Sequence, residues 1–206
     1  MPSPNIMAAC LARRTKQAKL VVLGNVLPLY DHPQRVAEEI AMLDVITKGR
    51  VVSGMVVGTG MEYFSYRINP TYARERFHEA HDLIIKAWTT EGPFSWDGTH
   101  YRFRYINVWP RPYQKPHPPI WIPGSGSSET MEWVAKQKYT YMVLPTLAPF
   151  ELRRQAAEYF PNVAAKRDTR FVIRKSAGAS VFTSAIRTSK RGANTSRTIG
   201  TMRAIF

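Results

Sequence analysis

Pro118-Pro119-Ile120-Trp121-Ile122 runs into Gly124-Ser125-Gly126-Ser127-Ser128, and the reading of this stretch decides the fold. Ile120-Trp121-Ile122 is short, apolar and β-forming, as expected of a strand buried on both faces. The small-residue loop behind it opens a helix predicted from about Glu129 to Lys138. A strand feeding a Gly-Ser loop and then a helix is the repeating unit of a parallel α/β fold.

The same alternation continues in both directions. Downstream, Tyr139 to Leu144 reads as a strand, and Pro149 opens a helix reaching Phe160. Upstream, Pro110 to Pro119 holds five prolines and must be extended. Before it, Phe94 to Tyr101 reads as a hairpin, because Asp97-Gly98 suits a type I′ turn. Asn69-Pro70 caps a long helix with Phe77, Ile84 and Trp88 on one face, and Met61 to Ile68 reads as irregular. Val51 to Val57 is a strand ending in Gly58-Thr59-Gly60. Pro33 opens a helix with Val36, Ile40 and Leu43 in one stripe and Lys48-Gly49 at its end. Leu20 to Leu23 is a strand closed by Gly24-Asn25, and Ser3-Pro4 starts the first helix, which runs to Thr15. Strands alternating with helices imply parallel pairing through right-handed crossovers. Periodicity alone leaves two architectures open, a doubly wound sheet and a (β/α)8 barrel. A closed barrel needs eight strands and typically ~250 residues, more than the crossover strands read here.

Composition sets the class. With 44% hydrophobic and 12% aromatic residues, the 206 residues can build a core. A single cysteine, Cys10, excludes an internal disulfide framework and suits a cytoplasmic location. No apolar run approaches the ~20 residues of a membrane span, and Met-Pro-Ser-Pro-Asn predicts no signal peptide. Beyond Pro161 there are ten Lys or Arg against one acid, a net +9 of the chain's +14, which leaves +5 for the rest. Residues 161–206 therefore form a basic tail, read as disordered or as out of frame with the α/β rhythm; Phe171-Val172-Ile173 is its one strand-like triplet. The tail's charge raises a nucleic-acid-binding alternative, but no recognition motif accompanies it.

Few residues carry chemistry. Gly124-Ser125-Gly126-Ser127-Ser128 is a candidate anion site, since glycines let the backbone approach closely and helix N–H groups and hydroxyls point outward. The alternative there is an ordinary helix cap. The five histidines show no metal-ligand spacing, so no metal is expected. Glu38 and Glu39 read as a solvated helix face, and Trp96, Trp109 and Trp121 as packing residues. No nucleophile-plus-base pattern is present, so the catalytic residue is unknown.

Three stretches together carry a resemblance to a known family. They are Leu27-Pro28-Leu29-Tyr30-Asp31-His32-Pro33-Gln34-Arg35-Val36-Ala37-Glu38-Glu39 with Leu43-Asp44 and Gly49-Arg50, then Gly54 to Gly60, then Trp109-Pro110-Arg111-Pro112 through Ile120-Trp121-Ile122 to Ser127. In order and spacing the chain resembles the bacterial luciferase-like flavin-dependent monooxygenases, which are TIM barrels. The resemblance covers about residues 1–160 and implies a partial (β/α)8 barrel truncated at both ends. It also implies that the Gly124–Ser128 loop grips the phosphate of FMN, and that Gly58 approaches the same phosphate. Gly24 and Asn25 would lie beside the isoalloxazine ring. Relatives often hold an arginine where this chain has Val57. The activity implied is oxygenation of a small organic substrate by O2, with reduced flavin supplied by a reductase and a homo-oligomer as the possible assembly. A deazaflavin (F420) hydride-transfer enzyme is the alternative within the same fold, and a segment of a barrel need not be active alone.

Deleting residues 161–206 is expected to leave the fold of residues 1–160 unchanged. Far-UV circular dichroism and thermal unfolding of the two chains check this: retained cooperativity is the expected result, and a lost transition contradicts it.

Overall fold

The structure is a computed structural model that describes residues 3–143 and 158–159. Most of the predicted Pro149–Phe160 helix, the Phe171–Ile173 triplet and the basic tail lie outside the described residues. Two compact units divide after Pro119.

In the first unit, helix α1 (Pro4–Arg14) starts as the sequence predicts, with the Ser3 hydroxyl accepting the Ile6 N–H. Strand β1 (Leu20–Val26) pairs in parallel with β2 (Val51–Val56), joined through helix α2 (Pro33–Thr47). Gly24-Asn25 does not close the first strand but lies within it. The register passes from Val22↔Ser53 to Asn25↔Met55, so β1 carries a bulge of one extra residue at Leu23–Gly24. Gly54 answers that bulge: a Cβ on it would stand 2.3 Å from the Val22 carbonyl oxygen.

Two further expectations are corrected. The stretch read as irregular, Met61 to Ile68, is mostly helix α3 (Gly60–Tyr66), started by a reciprocal capping box of Thr59 and Glu62. The Asp97-Gly98 turn is not type I′, because Gly98 does not have positive φ. Strands β3 (Phe94–Asp97) and β4 (Arg102–Ile106) pair antiparallel across a longer loop. That loop is shaped by Glu79 of helix α4 (Ala73–Thr89), whose carboxylate accepts from the Trp96 indole at 3.1 Å and the His100 and Tyr101 backbone N–H groups at 2.8 and 3.0 Å. Any Cβ at Gly98 would fall on Glu79. The second unit repeats the parallel theme on a smaller scale, with β5 (Ile120–Gly124), α5 (Ser128–Lys136) and β6 (Thr140–Val143).

The core of the first unit joins α2 and α4, with Val36, Ile40, Phe77, Leu83, Ile84 and Trp88 almost wholly buried. Trp88 also donates its indole N–H to the Ala37 carbonyl at 2.9 Å, so it is both packed and bonded. Polar side chains pin the connections around this core. Fully buried Asp44 accepts from the Gln114 backbone N–H at 2.8 Å and its amide at 2.7 Å. Arg50 donates to the carbonyls of Ala12, Thr15, Ala18 and Thr47 and to the Thr15 hydroxyl.

Asp44→Asn is expected to destabilise the first unit by about 2–4 kcal/mol, since two hydrogen bonds to a carboxylate are weakened and an amide N–H₂ is turned on donors. Urea unfolding at fixed pH measures it; a loss under half a kcal/mol would show the junction to be dispensable.

Candidate functional site

The residues expected to hold a cofactor fall into two clusters, one in each unit. In the first, the bulge leaves Gly24 exposed while its neighbours Asn25 and Val26 are buried. A Cβ on Gly24 would meet nothing closer than Pro4 at 3.7 Å, so a bare stretch of backbone faces outward. Asn25 is fully buried, and its amide oxygen and nitrogen have no hydrogen-bond partner among the described residues. Ser53 on the adjacent strand is likewise fully buried with its hydroxyl unpaired among them.

Gly58 lies just past β2, with φ of +103° and Val26 so close that a Cβ would sit 2.5 Å from its Cγ1. Its position is secured from α3. Tyr63 is buried and donates its phenol to the Val57 carbonyl at 2.7 Å, and Glu62 accepts the Thr59 N–H at 2.8 Å. Burial, with Glu62 nearby, raises the Tyr63 pKa, which keeps that phenol a donor. Gly24, Asn25 and Gly58 thus gather at the carboxyl ends of two neighbouring parallel strands, the end at which α/β folds bind ligands. Val57 places no cation there.

In the second unit, Gly124 ends β5 and Ser127 is the N-cap of α5, its hydroxyl accepting the Thr130 N–H. Ser125, Ser127 and Ser128 are exposed, and Gly126 takes φ of +117°. The helix-cap reading of this loop is therefore realised at Ser127, while the other two hydroxyls stand clear. The Gly126 N–H does not point outward, because it donates to the Tyr141 phenol oxygen at 3.0 Å. Tyr141 is 1% exposed, and burial pushes its pKa up to about 12. Its ring also excludes any side chain at Gly124, where a Cβ would stand 2.6 Å from the phenol oxygen.

The supports of these clusters were missed in the sequence. Thr59-x-x-Glu62 is a capping-box pattern and was legible there. Tyr141 had no local signal, since it meets Gly126 only through the strand pairing Ile122↔Tyr141. Among the described residues no cluster of three or more His, Cys, Asp or Glu is arranged to hold a metal ion, and no helix is long and apolar enough to cross a membrane.

Comparison with known proteins adds to this geometry. Residues 1–190 match the family model of the luciferase-like monooxygenases, a match that runs past residue 160. The oxygenase component of the flavin-dependent trigonelline monooxygenase of Acinetobacter baylyi is 32% identical over 126 residues, which are 59% of this chain and 34% of the relative. The monooxygenase RslO1 of Streptomyces bottropensis superposes with a TM-score of 0.73 at 29% identity, over 82% of this chain and 51% of that one. The oxygenating constituent of 3,6-diketocamphane monooxygenase from Pseudomonas putida, solved with FMN, shares the fold at a TM-score of 0.69 and 18% identity, over 82% and 49%. The chain spans about two fifths of the length of the curated relatives it matches.

Tyr141→Phe is expected to cost about 1 kcal/mol and to speed hydrogen exchange at the Gly126 amide, whose acceptor is removed. Exchange measured residue by residue reads this, and an unchanged Gly126 rate would mean that another group holds the loop.

Proposed function

Because the chain belongs to the luciferase-like monooxygenase family, we propose that it forms part of a (β/α)8 barrel that binds FMN and oxygenates a small organic substrate with O2. The observation that carries this reading is the Gly124–Ser128 loop, with three exposed hydroxyls around a positive-φ glycine at the start of α5. Hydroxyl donors at a helix N-terminus suit a phosphate, which the positive end of the helix dipole also favours. The exposed backbone at Gly24 suits the face of a flat ring, since Gly24 carries no side chain of its own and only the Pro4 ring comes within 4 Å of where a Cβ would be. The Asn25 amide, buried and without a hydrogen-bond partner among the described residues, would bond the edge of that ring. FMN in its reduced form supplies the electrons for oxygen activation, and the protein binds, orients and keeps water out.

The residues present fit the cofactor with one reservation of charge. The Gly124–Ser128 loop holds no Lys or Arg, so binding of a dianionic phosphate there rests on hydroxyls, main-chain groups and the helix dipole. The relative from Acinetobacter baylyi is an oxygenase component, and this supports a separate reductase as the source of reduced flavin. In this reading residues 1–160 are the barrel portion and 161–206 a basic tail.

Replacing Ser125 and Ser127 together with Ala should weaken FMN more than riboflavin, by roughly tenfold or more, because each lost bond to a charged group is worth about 1.5–3 kcal/mol and riboflavin has no phosphate. The loss of the Ser127 cap costs both ligands alike, so the ratio of the two affinities isolates the phosphate. Titration followed by flavin fluorescence supplies that ratio, and equal weakening of both ligands would move the phosphate elsewhere.

A further inference from the structure

The first unit holds an open cleft of about 500 Å³ at the C-terminal end of α4, and its lining includes no residue of either cofactor cluster. That volume falls within the range of small-molecule sites, roughly 300–1,000 Å³. Trp109 lines it and is 68% exposed, an unusual state for a tryptophan. The ring is nevertheless oriented, since its N–H donates to the Asn107 side-chain oxygen at 3.2 Å and the Asn107 amide donates to the Tyr105 phenol at 3.3 Å. Its position is therefore set by hydrogen bonds that leave ring surface uncovered.

Three charged side chains share the lining. Arg111 is engaged, donating to the Ala87 and Thr90 carbonyls that α4 leaves at its end. The exposed side chains of Lys115 and Glu91 have no hydrogen-bond or ion-pair partner among the described residues, including each other. One cleft thus offers an uncovered aromatic ring, one available ammonium and one available carboxylate.

We propose that this cleft binds a small aromatic zwitterion, with the ligand's carboxylate toward Lys115, its cationic nitrogen toward Glu91 and its ring against Trp109. A ligand carrying both charges is attracted by Lys115 and Glu91 together, whereas an ion of either single sign is attracted by one of the two and repelled by the other. Arg111 keeps its charge against neutral carbonyls, so the anion is the better of the two single-sign ligands. The ring contributes stacking that is insensitive to sign. Selectivity for the doubly charged ligand is the signature of such a site, and occupancy is independent of flavin.

The experiment titrates the full-length chain, by ligand-observed NMR, with phenylalanine, phenylacetate and phenethylamine, which share a ring and differ in charge. Phenylalanine is expected to bind roughly fivefold or more tightly than either analogue, the scale of exposed charge contacts. Lys115→Met should bring phenylalanine down to the affinity of phenethylamine, and Glu91→Gln to that of phenylacetate. Trp109→Ala should weaken all three. These are surface positions, and circular dichroism of each variant confirms that it is folded. Equal affinity for the three ligands, no saturable binding of phenylalanine, or a preference untouched by both charge substitutions overturns the proposal. None of these outcomes bears on FMN, which is titrated separately.

Discussion

A carboxylate closed off from solvent, on the last turn of a helix, organises the first unit. Asp44 is met by neutral donors, both from Gln114, and the Gln114 amide also donates to the Val51 carbonyl at 2.9 Å. One glutamine therefore ties α2, β2 and the Pro-rich segment to a single buried charge. A buried carboxylate is tolerated only when its lone pairs are occupied, so the segment from Pro110 to Pro119 has little freedom to lie elsewhere. On the far side of the Lys48-Gly49 turn, both of whose residues have positive φ, Arg50 uses its five donors on neutral oxygens. Its charge sits at the C-terminal end of α1, where the helix dipole welcomes a cation. The two ionic residues flank one tight turn, and between them they fix the entry to β1, the entry to β2 and the path of the Pro-rich loop.

How much of this was legible depended on whether the cause was local. Ser3-Pro4 announced α1, and the stripe of Val36, Ile40 and Leu43 announced α2, because caps and helical periodicity lie within a few residues. The Asp97-Gly98 turn misled because the reason for Gly98 is Glu79, on another element. A dipeptide rule weighs backbone angles and has no view of a carboxylate arriving from a helix. The bulge at Leu23–Gly24 was hidden for the same reason, since a register is a property of two strands. The α3 helix was a different failure: its capping box was in plain sight, but aromatic, exposed Phe64 and Tyr66 suggested no buried stripe.

The two candidate clusters were legible to different degrees. At Gly124–Ser128 the donor set could be listed from the residues alone, and the structure adds which donors remain, since Tyr141 takes the Gly126 N–H. At Gly24–Asn25 the residue types gave the location but not which of the two faces outward. The pleat assigns that, and the bulge resets the pleat. Hydroxyl donors are properties of a side chain, whereas an exposed stretch of main chain is a property of the sheet.

Gly54 and the bulge opposite it also bear on the order in which substitutions can accumulate. With the Val22 carbonyl leaning over position 54, every side chain there is barred while β1 carries its extra residue. Deleting that residue would flatten the strand and lift the bar, but it would also shift the facing of everything beyond it. A lineage leaving this arrangement must shorten β1 first and fill position 54 afterwards, and the first step already withdraws Gly24 from the surface. The glycine is thus a ratchet: its own replacement is harmless only in descendants that have already given up the exposed backbone.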